Sequence, residues 1–280
     1  MTPCARLNNG VMMPELGLGT WQLPESDQLV CDLASAIDRG FHYIDTAAIY
    51  GNQSCLGKAL TQCKTQREDL FILSKSWTTN RTYDAVMRGF EETLRELDLD
   101  YLDAYLIHWP CTKGDPLAWQ SVNIGTWRAF ESLYEQKLVR AIGVSNFLPH
   151  HLVSFLARAN IAPQINQIEC HVGYPQQKCV QFCQANDIQV VGWSPLGHGH
   201  MIDSELVHEI ADKHQKTAAQ ILLRWCLQNG VIPVTHTLNA QHQEENLAIF
   251  NFDLDEDDMI MLDQVPMQSF SGLSPDHVSF

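Results

Sequence analysis

Four side chains in the first 108 residues could together move a proton: Asp45, Tyr50, Lys75 and His108. Three of them stand where an apolar, β-prone run ends. Phe41-His42-Tyr43-Ile44 stops at Asp45, Leu70-Phe71-Ile72-Leu73-Ser74 stops at Lys75, and Tyr105-Leu106-Ile107 stops at His108-Trp109-Pro110. Tyr50 comes one short loop after Asp45, just before a Gly51-Asn52 turn. A tyrosine is a poor acid at neutral pH, with a reference pKa near ~10. A nearby ammonium stabilises its phenolate and makes it a better proton donor. A carboxylate holds that ammonium in place, and a neutral imidazole can donate to a carbonyl oxygen and orient it. The set suits proton transfer at a carbonyl. The hydride that would complete a reduction cannot come from a side chain, so a cofactor is required.

Taken singly, each residue also has an ordinary reading: Asp45 as a loop cap, Tyr50 as a rim plug, His108 as a satisfied core histidine. Lys75 is harder to dismiss, because an unpaired ammonium at the end of an apolar strand would be costly.

Positioning these groups falls to a strand–helix alternation. A tight hairpin is expected around Asn8-Asn9-Gly10, because Asn-Gly favours a primed turn. A short strand at 16–19 leads to a helix over 27–39, closed by Gly40. Strands follow at 41–45, 70–74, 102–107, 138–144, 165–168, 188–192 and 231–233. Helical patterns separate them, after Asn52, at 82–97, at 121–136, from about His150, at 176–185, in two stretches after 197, and at 240–248. Eight strands alternating with eight main helices imply a parallel sheet closed on itself, a (β/α)8 TIM barrel with the hairpin capping its bottom. One domain is expected over residues 1–280. An open doubly wound sheet is the alternative. It would need a glycine-rich first βα turn, and Gly19-Thr20-Trp21-Gln22-Leu23-Pro24 lacks that fingerprint. In a closed barrel the strand C-terminal ends share one face, where chemistry sits.

The 280 residues carry a net charge of −15, which argues against nucleic acid or an anionic membrane surface as partner. No apolar run is long enough to span a bilayer, and the N-terminus lacks a basic start and an apolar core. Nine cysteines, with no CxxC pair and no second cluster, suit reduced thiols better than a metal site. A cytoplasmic, monomeric protein is expected, with no metal.

The motifs GLGTW at 17–21, FHYIDTAAIYGN at 41–52, LSKSW at 73–77 and LIHWP at 106–110 continue with AIGVSNF at 141–147, INQIECH at 165–171, WSPLG at 193–197 and EEN at 244–246. In this order and spacing the chain resembles the aldo-keto reductases, from about Leu7 to near Phe280. The resemblance implies reduction of aldehydes and ketones to alcohols, with Tyr50 as proton donor tuned by Lys75 and Asp45, and His108 orienting the substrate. It implies a nicotinamide cofactor near Thr20, Trp21 and Asp45. Ser145, Asn146 and Gln167 would meet its carboxamide, and Trp193 would stack on its ring where the family usually has Tyr. Ser194 and Leu196 would cover the pyrophosphate, and Glu245 and Asn246 would contact the adenine. Trp21, Trp77, His108 and Trp109 would wall the pocket of a small carbonyl substrate.

Two segments depart from the family pattern. The 2′-phosphate site usually reads Ile-Pro-Lys-Ser with an Arg soon after. Here it reads Ile232-Pro233-Val234-Thr235-His236, leaving Thr235, His236 and His242 as donors. NADPH is the expected cofactor, with NADH or dual use left open. The tail over 267–277 and the loop Cys111–Ile124 are short, so an open pocket is expected. The alternative function is a cofactor-binding barrel with a regulatory role and negligible turnover.

Overall fold

The computed structural model describes residues 2–111, 119–268 and 271–278. Strands β1 (Cys4–Arg6) and β2 (Met12–Pro14) form an antiparallel hairpin with Cys4 opposite Pro14. Its turn closes where expected: the Leu7 N–H donates to the Val11 carbonyl, and Gly10 takes the positive φ (88°) that the turn demands.

Eight parallel strands follow: β3 (Gly17–Gly19), β4 (Tyr43–Asp45), β5 (Phe71–Ser76), β6 (Leu102–Ile107), β7 (Val139–Ser145), β8 (Ile165–Glu169), β9 (Gln189–Trp193) and β10 (Val231–Thr235). Each pairs with its sequence neighbour, and β10 pairs with both β9 and β3, which closes the barrel. The helices are α1 (Asp27–Arg39), α2 (Gln53–Gln62), α3 (Tyr83–Leu97), α4 (Trp119–Glu135), α5 (Pro149–Leu156), α6 (Gln177–Gln184), α7 (Glu205–His214), α8 (Ala218–Gln228), α9 (Ala240–Leu247) and α10 (Glu256–Asp263).

Local chemistry sets the ends of these elements. Ser26 Oγ accepts from the Leu29 N–H at the start of α1, and Gly40, at φ 124°, ends it. Between those caps α1 buries Leu29, Val30, Leu33 and Ile37 on one face. Thr82 caps α3 in the same way, accepting from Ala85.

Two details differ from the sequence expectation. Helix α10 was not foreseen, because Met259, Ile260, Met261 and Leu262 are consecutive and make no stripe. Its start is fixed instead by Asp255, whose side chain accepts from the Asp258 N–H. The loop expected over Cys111–Ile124 is shorter still, since α4 begins at Trp119; residues 112–118 of it lie outside the described residues.

Period-two alternation fills the barrel. The interior holds Tyr43, Phe71, Leu73, Ala104, Leu106, Ala141, Ile165, Val191, Ile232 and Val234. Leu7 and Met13 of the hairpin join this cluster. Asn8 Nδ2 donates to the Pro163 carbonyl and Asn9 Nδ2 to the Arg140 carbonyl, which fixes the hairpin across the barrel's bottom. Counting on by two from the apolar positions gives Asp45 after Tyr43, Lys75 after Leu73, His108 after Leu106 and Gln167 after Ile165. The top layer of the interior is therefore polar.

Gly143 sits on the inner face of β7, two residues before Ser145. A Cβ there would lie 2.6 Å from both the Ile165 carbonyl oxygen and Leu106 Cδ2. Gly143→Ala should lower unfolding free energy by about 1–3 kcal/mol, read from the urea midpoint. An unchanged midpoint would mean that the β7–β8 spacing is looser than it stands.

Candidate active site

Asp45 and Lys75 lie on adjacent strands, and their pairing is the centre of the polar layer. Lys75 Nζ is 2.5 Å from Asp45 Oδ1, with the lysine 0% and the aspartate 4% exposed. The ammonium spends its other donors on the Thr46 carbonyl (3.0 Å) and Tyr50 Oη (3.5 Å). The second carboxylate oxygen, Oδ2, accepts from Tyr43 Oη (2.9 Å) and Gln167 Nε2 (2.6 Å). Both ions are thus fully partnered, as burial demands.

Lys75 was expected just past its strand. Strand β5 instead runs to Ser76, so Lys75 shares the inner face with Leu73 and points at β4 because of its parity. Tyr50 is delivered by a 3-10 turn, Ala48–Tyr50, ended by Gly51 in the left-handed region. His108 is the residue after β6. Its ring makes edge contacts with Tyr50 (5.9 Å between centroids) and Trp77 (5.0 Å).

Charges follow from these positions. Burial pushes the Tyr50 phenol above the ordinary tyrosine range; the Lys75 ammonium pulls it down, and Asp45 pushes it up again. The expected lowering by Lys75 is present, but burial exceeds it. Burial also works to strip Lys75 of its proton, yet Asp45 and Tyr50 hold its pKa above the ordinary value. His108 is held well below the histidine range by burial first, then by Lys75 and Arg81. It is therefore neutral at pH 7.

A second group of residues interlocks beside these four. Asn146, at φ 64°, takes the left-handed conformation that Asn tolerates. Its Nδ2 donates to the His108 carbonyl (3.0 Å), and its Oδ1 accepts from Trp193 Nε1 (2.9 Å). Ser145 Oγ donates to the Gln167 carbonyl (3.0 Å). The four residues expected at the nicotinamide are thus tied to one another and, through Gln167, to Asp45.

A continuous cleft of about 1370 Å³ runs over this layer. Asp45, Tyr50, His108, Trp21, Trp77 and Trp109 line it, as do Ser145, Asn146, Gln167, Trp193, Ser194 and Leu196, and Thr235, His236, Glu245 and Asn246. Two expected residues do not line it. Thr20 is fully buried, its hydroxyl on Thr46 Oγ1 and its N–H on the Asp45 carbonyl, because it follows β3 and turns inward. Lys75 lies beneath the surface and reaches the cleft through Tyr50.

Other lining residues went unread in the sequence. Lys216 and Thr217 lead into α8, whose capping box (Thr217 with Gln220) was a usable signal. Ser271 and Leu273 belong to the tail. Ser271 donates its N–H to Glu169 and also bonds that carboxylate through Oγ, while Val278 packs on Trp109 and Cys111. The short tail supplies part of the pocket's lining.

The Aldo/keto reductase family model matches residues 15–266. The chain belongs to the aldo/keto reductase family. It is 40% identical over 275 residues to the glyoxal reductase of Bacillus subtilis (strain 168), covering 98% of this chain and 97% of that one. It is 35% identical over 273 residues to the methylglyoxal reductase of Salmonella typhimurium (strain LT2), covering 97% and 96%. A crystal structure of an aldo-keto reductase complexed with NADPH superposes with a TM-score of 0.87 at 31% identity, covering 95% of this chain and 88% of that one. This reductase therefore acts on carbonyl groups.

Within the reductase, Lys75→Met would strand the Asp45 carboxylate and should cost about 3–5 kcal/mol of stability. The double variant Asp45→Asn/Lys75→Met removes that stranded charge. It should regain most of the stability in urea unfolding and none of the aldehyde reduction. Recovery of both would make Lys75 purely structural.

Proposed function

We propose that this protein reduces small neutral aldehydes and ketones with NADPH or NADH, and that Tyr50 is the proton donor. The observation that carries this reading is the Asp45–Lys75–Tyr50 chain of contacts opening, beside neutral His108, into a cleft of about 1370 Å³. The donor set along the cleft fits such a cofactor. Ser145, Asn146 and Gln167 would hold the amide end, Trp193 would face the ring, and Ser194 and Leu196 would border the pyrophosphate. Thr235, His236, Glu245 and Asn246 would hold the adenosine. When bound, the reduced nicotinamide supplies the hydride.

The chain's own groups do the rest. The buried Nδ1 of His108 has no partner among the described residues. An unpaired acceptor costs less than an unpaired N–H, so Nδ1 is bare and Nε2 carries the proton that His108 donates to the carbonyl oxygen. Tyr50 then gives its proton to that oxygen as the C–H bond forms. The Lys75 ammonium stabilises the phenolate left behind, and Asp45 keeps that ammonium charged. Trp21, Trp77 and Trp109 offer apolar walls. The names of the relatives make glyoxal and methylglyoxal the first substrates to assay.

Tyr50→Phe should reduce aldehyde turnover by at least ~10²-fold, the usual contribution of a general acid, while leaving the cofactor dissociation constant unchanged by fluorescence titration. Near-normal turnover would sink this mechanism.

Cofactor choice follows from the adenosine end. Val234, where the family carries a Lys, is buried on the inner face, with Cγ atoms 3.2 and 3.1 Å from where Cβ atoms of Gly17 and Gly19 would be. A Lys there would have to climb out of the barrel interior, so His236, exposed at the cleft, is the better place to add charge. A charge-assisted hydrogen bond contributes roughly 1.5–3 kcal/mol, or about one to two decades in affinity. The protein should therefore separate NADPH from NADH weakly. His236→Arg should tighten NADPH by about tenfold and leave NADH within about twofold. A wild type that prefers NADPH by several decades, with no gain from His236→Arg, would show that other residues read the phosphate.

A further inference from the structure

Arg81 lies outside the cleft lining, in the loop between β5 and α3, and nothing in the mechanism uses it. Its contacts are unusual for a cation. Among the described residues it forms no ion pair. All its guanidinium partners are neutral oxygens: Trp109 O (2.6 Å), Cys111 O (3.5 Å), Asn123 Oδ1 (2.8 Å) and Thr78 O (3.3 Å). Asn123, itself buried, passes its Nδ2 on to the Pro110 carbonyl (3.0 Å). The three consecutive carbonyls of Trp109, Pro110 and Cys111 are thus all taken by Arg81 or by the residue that Arg81 holds. The Arg81 carbonyl accepts from Thr126 Oγ1 (2.8 Å), which anchors the device to α4.

A part-buried cation held by neutral oxygens among the described residues costs stability to desolvate. What it secures is specific. Thr78 follows Trp77, and Trp109 follows His108, so one planar fork sets the two loops that carry two of the three aromatic walls. The Trp77 ring in turn lies edge-on to His108.

We propose that Arg81 is a positioning residue for the carbonyl substrate: it staples the Trp77 and Trp109 loops to α4 and so fixes the walls between which the substrate enters. This rests on the assignment of those tryptophans to the substrate end of the cleft. Arg81 touches neither the reacting atoms nor the cofactor residues. A further consequence is electrostatic. Burial lowers the Arg81 pKa only to about 10, so it stays charged at neutral pH and helps to keep His108 neutral.

The test is steady-state kinetics of Arg81→Met and Arg81→Lys in the full chain, with saturating reduced cofactor and a benzaldehyde as varied substrate. Arg81→Met should raise KM by about tenfold, lower kcat by no more than ~3-fold, and move the cofactor dissociation constant by less than about twofold. Arg81→Lys should restore the melting temperature without restoring KM, because a point-like ammonium cannot span acceptors on three segments. Full recovery of KM by Lys would overturn the stapling, leaving charge alone. So would a KM that tracks the cofactor dissociation constant, which marks general loosening. If Arg81→Met yields no folded protein, the KM of Arg81→Lys decides alone. Failure of the underlying mechanism is read separately, as retained turnover in Tyr50→Phe.

Discussion

The buried ion pair between Lys75 and Asp45 constrains everything near it. Two ions withdrawn from water are tolerable only when every donor and acceptor is met. That requirement recruits Thr46, Tyr43, Gln167 and Tyr50 into one bonded unit. It also fixes which strands must be neighbours, since the pair bridges β4 and β5 while Gln167 crosses from β8. The barrel is the device that makes such a crossing short: residues 122 apart in sequence meet across its interior.

The polar layer and the apolar interior are two halves of one pattern. Below, Tyr43, Leu73 and Leu106 exclude water; above, the next inward positions are Asp45, Lys75 and His108. Low polarity beneath strengthens each charge interaction above it. The same burial pushes the tyrosine up and the histidine down, so at neutral pH the phenol keeps its proton and the imidazole is uncharged.

Much of this was legible in the residues. Strands with apolar runs ending in a lone polar group, such as Tyr105-Leu106-Ile107 before His108, announced both the elements and the layer. Helix α1 was closed by Gly40, a signal with a direct physical meaning. What stayed hidden lacked a periodic or local signature. Helix α10 has no stripe. The inward packing of Thr20 depends on β3 meeting β4, and that of Val234 on β10 meeting β3. The place of Ser271 and Leu273 in the cleft depends on where the tail is tied, through Glu169, 102 residues away. Arg81 carries no motif or periodicity that the sequence analysis could use; its partners lie on three separate segments.

The closure of the barrel has a consequence for how the protein is made. Asp45, Tyr50, Lys75 and His108 are all present once His108 has been added to the growing chain. Yet β3 has its second neighbour only in β10, and Thr235 Oγ1 reaches the Gly17 carbonyl across 218 positions. A contact of such long range forms late and slowly. During translation the N-terminal half must therefore wait, with one flank of its sheet unpaired and exposed to other chains. Asp45 to His108 lie early in the sequence, but the barrel around them closes only when β10 has been made.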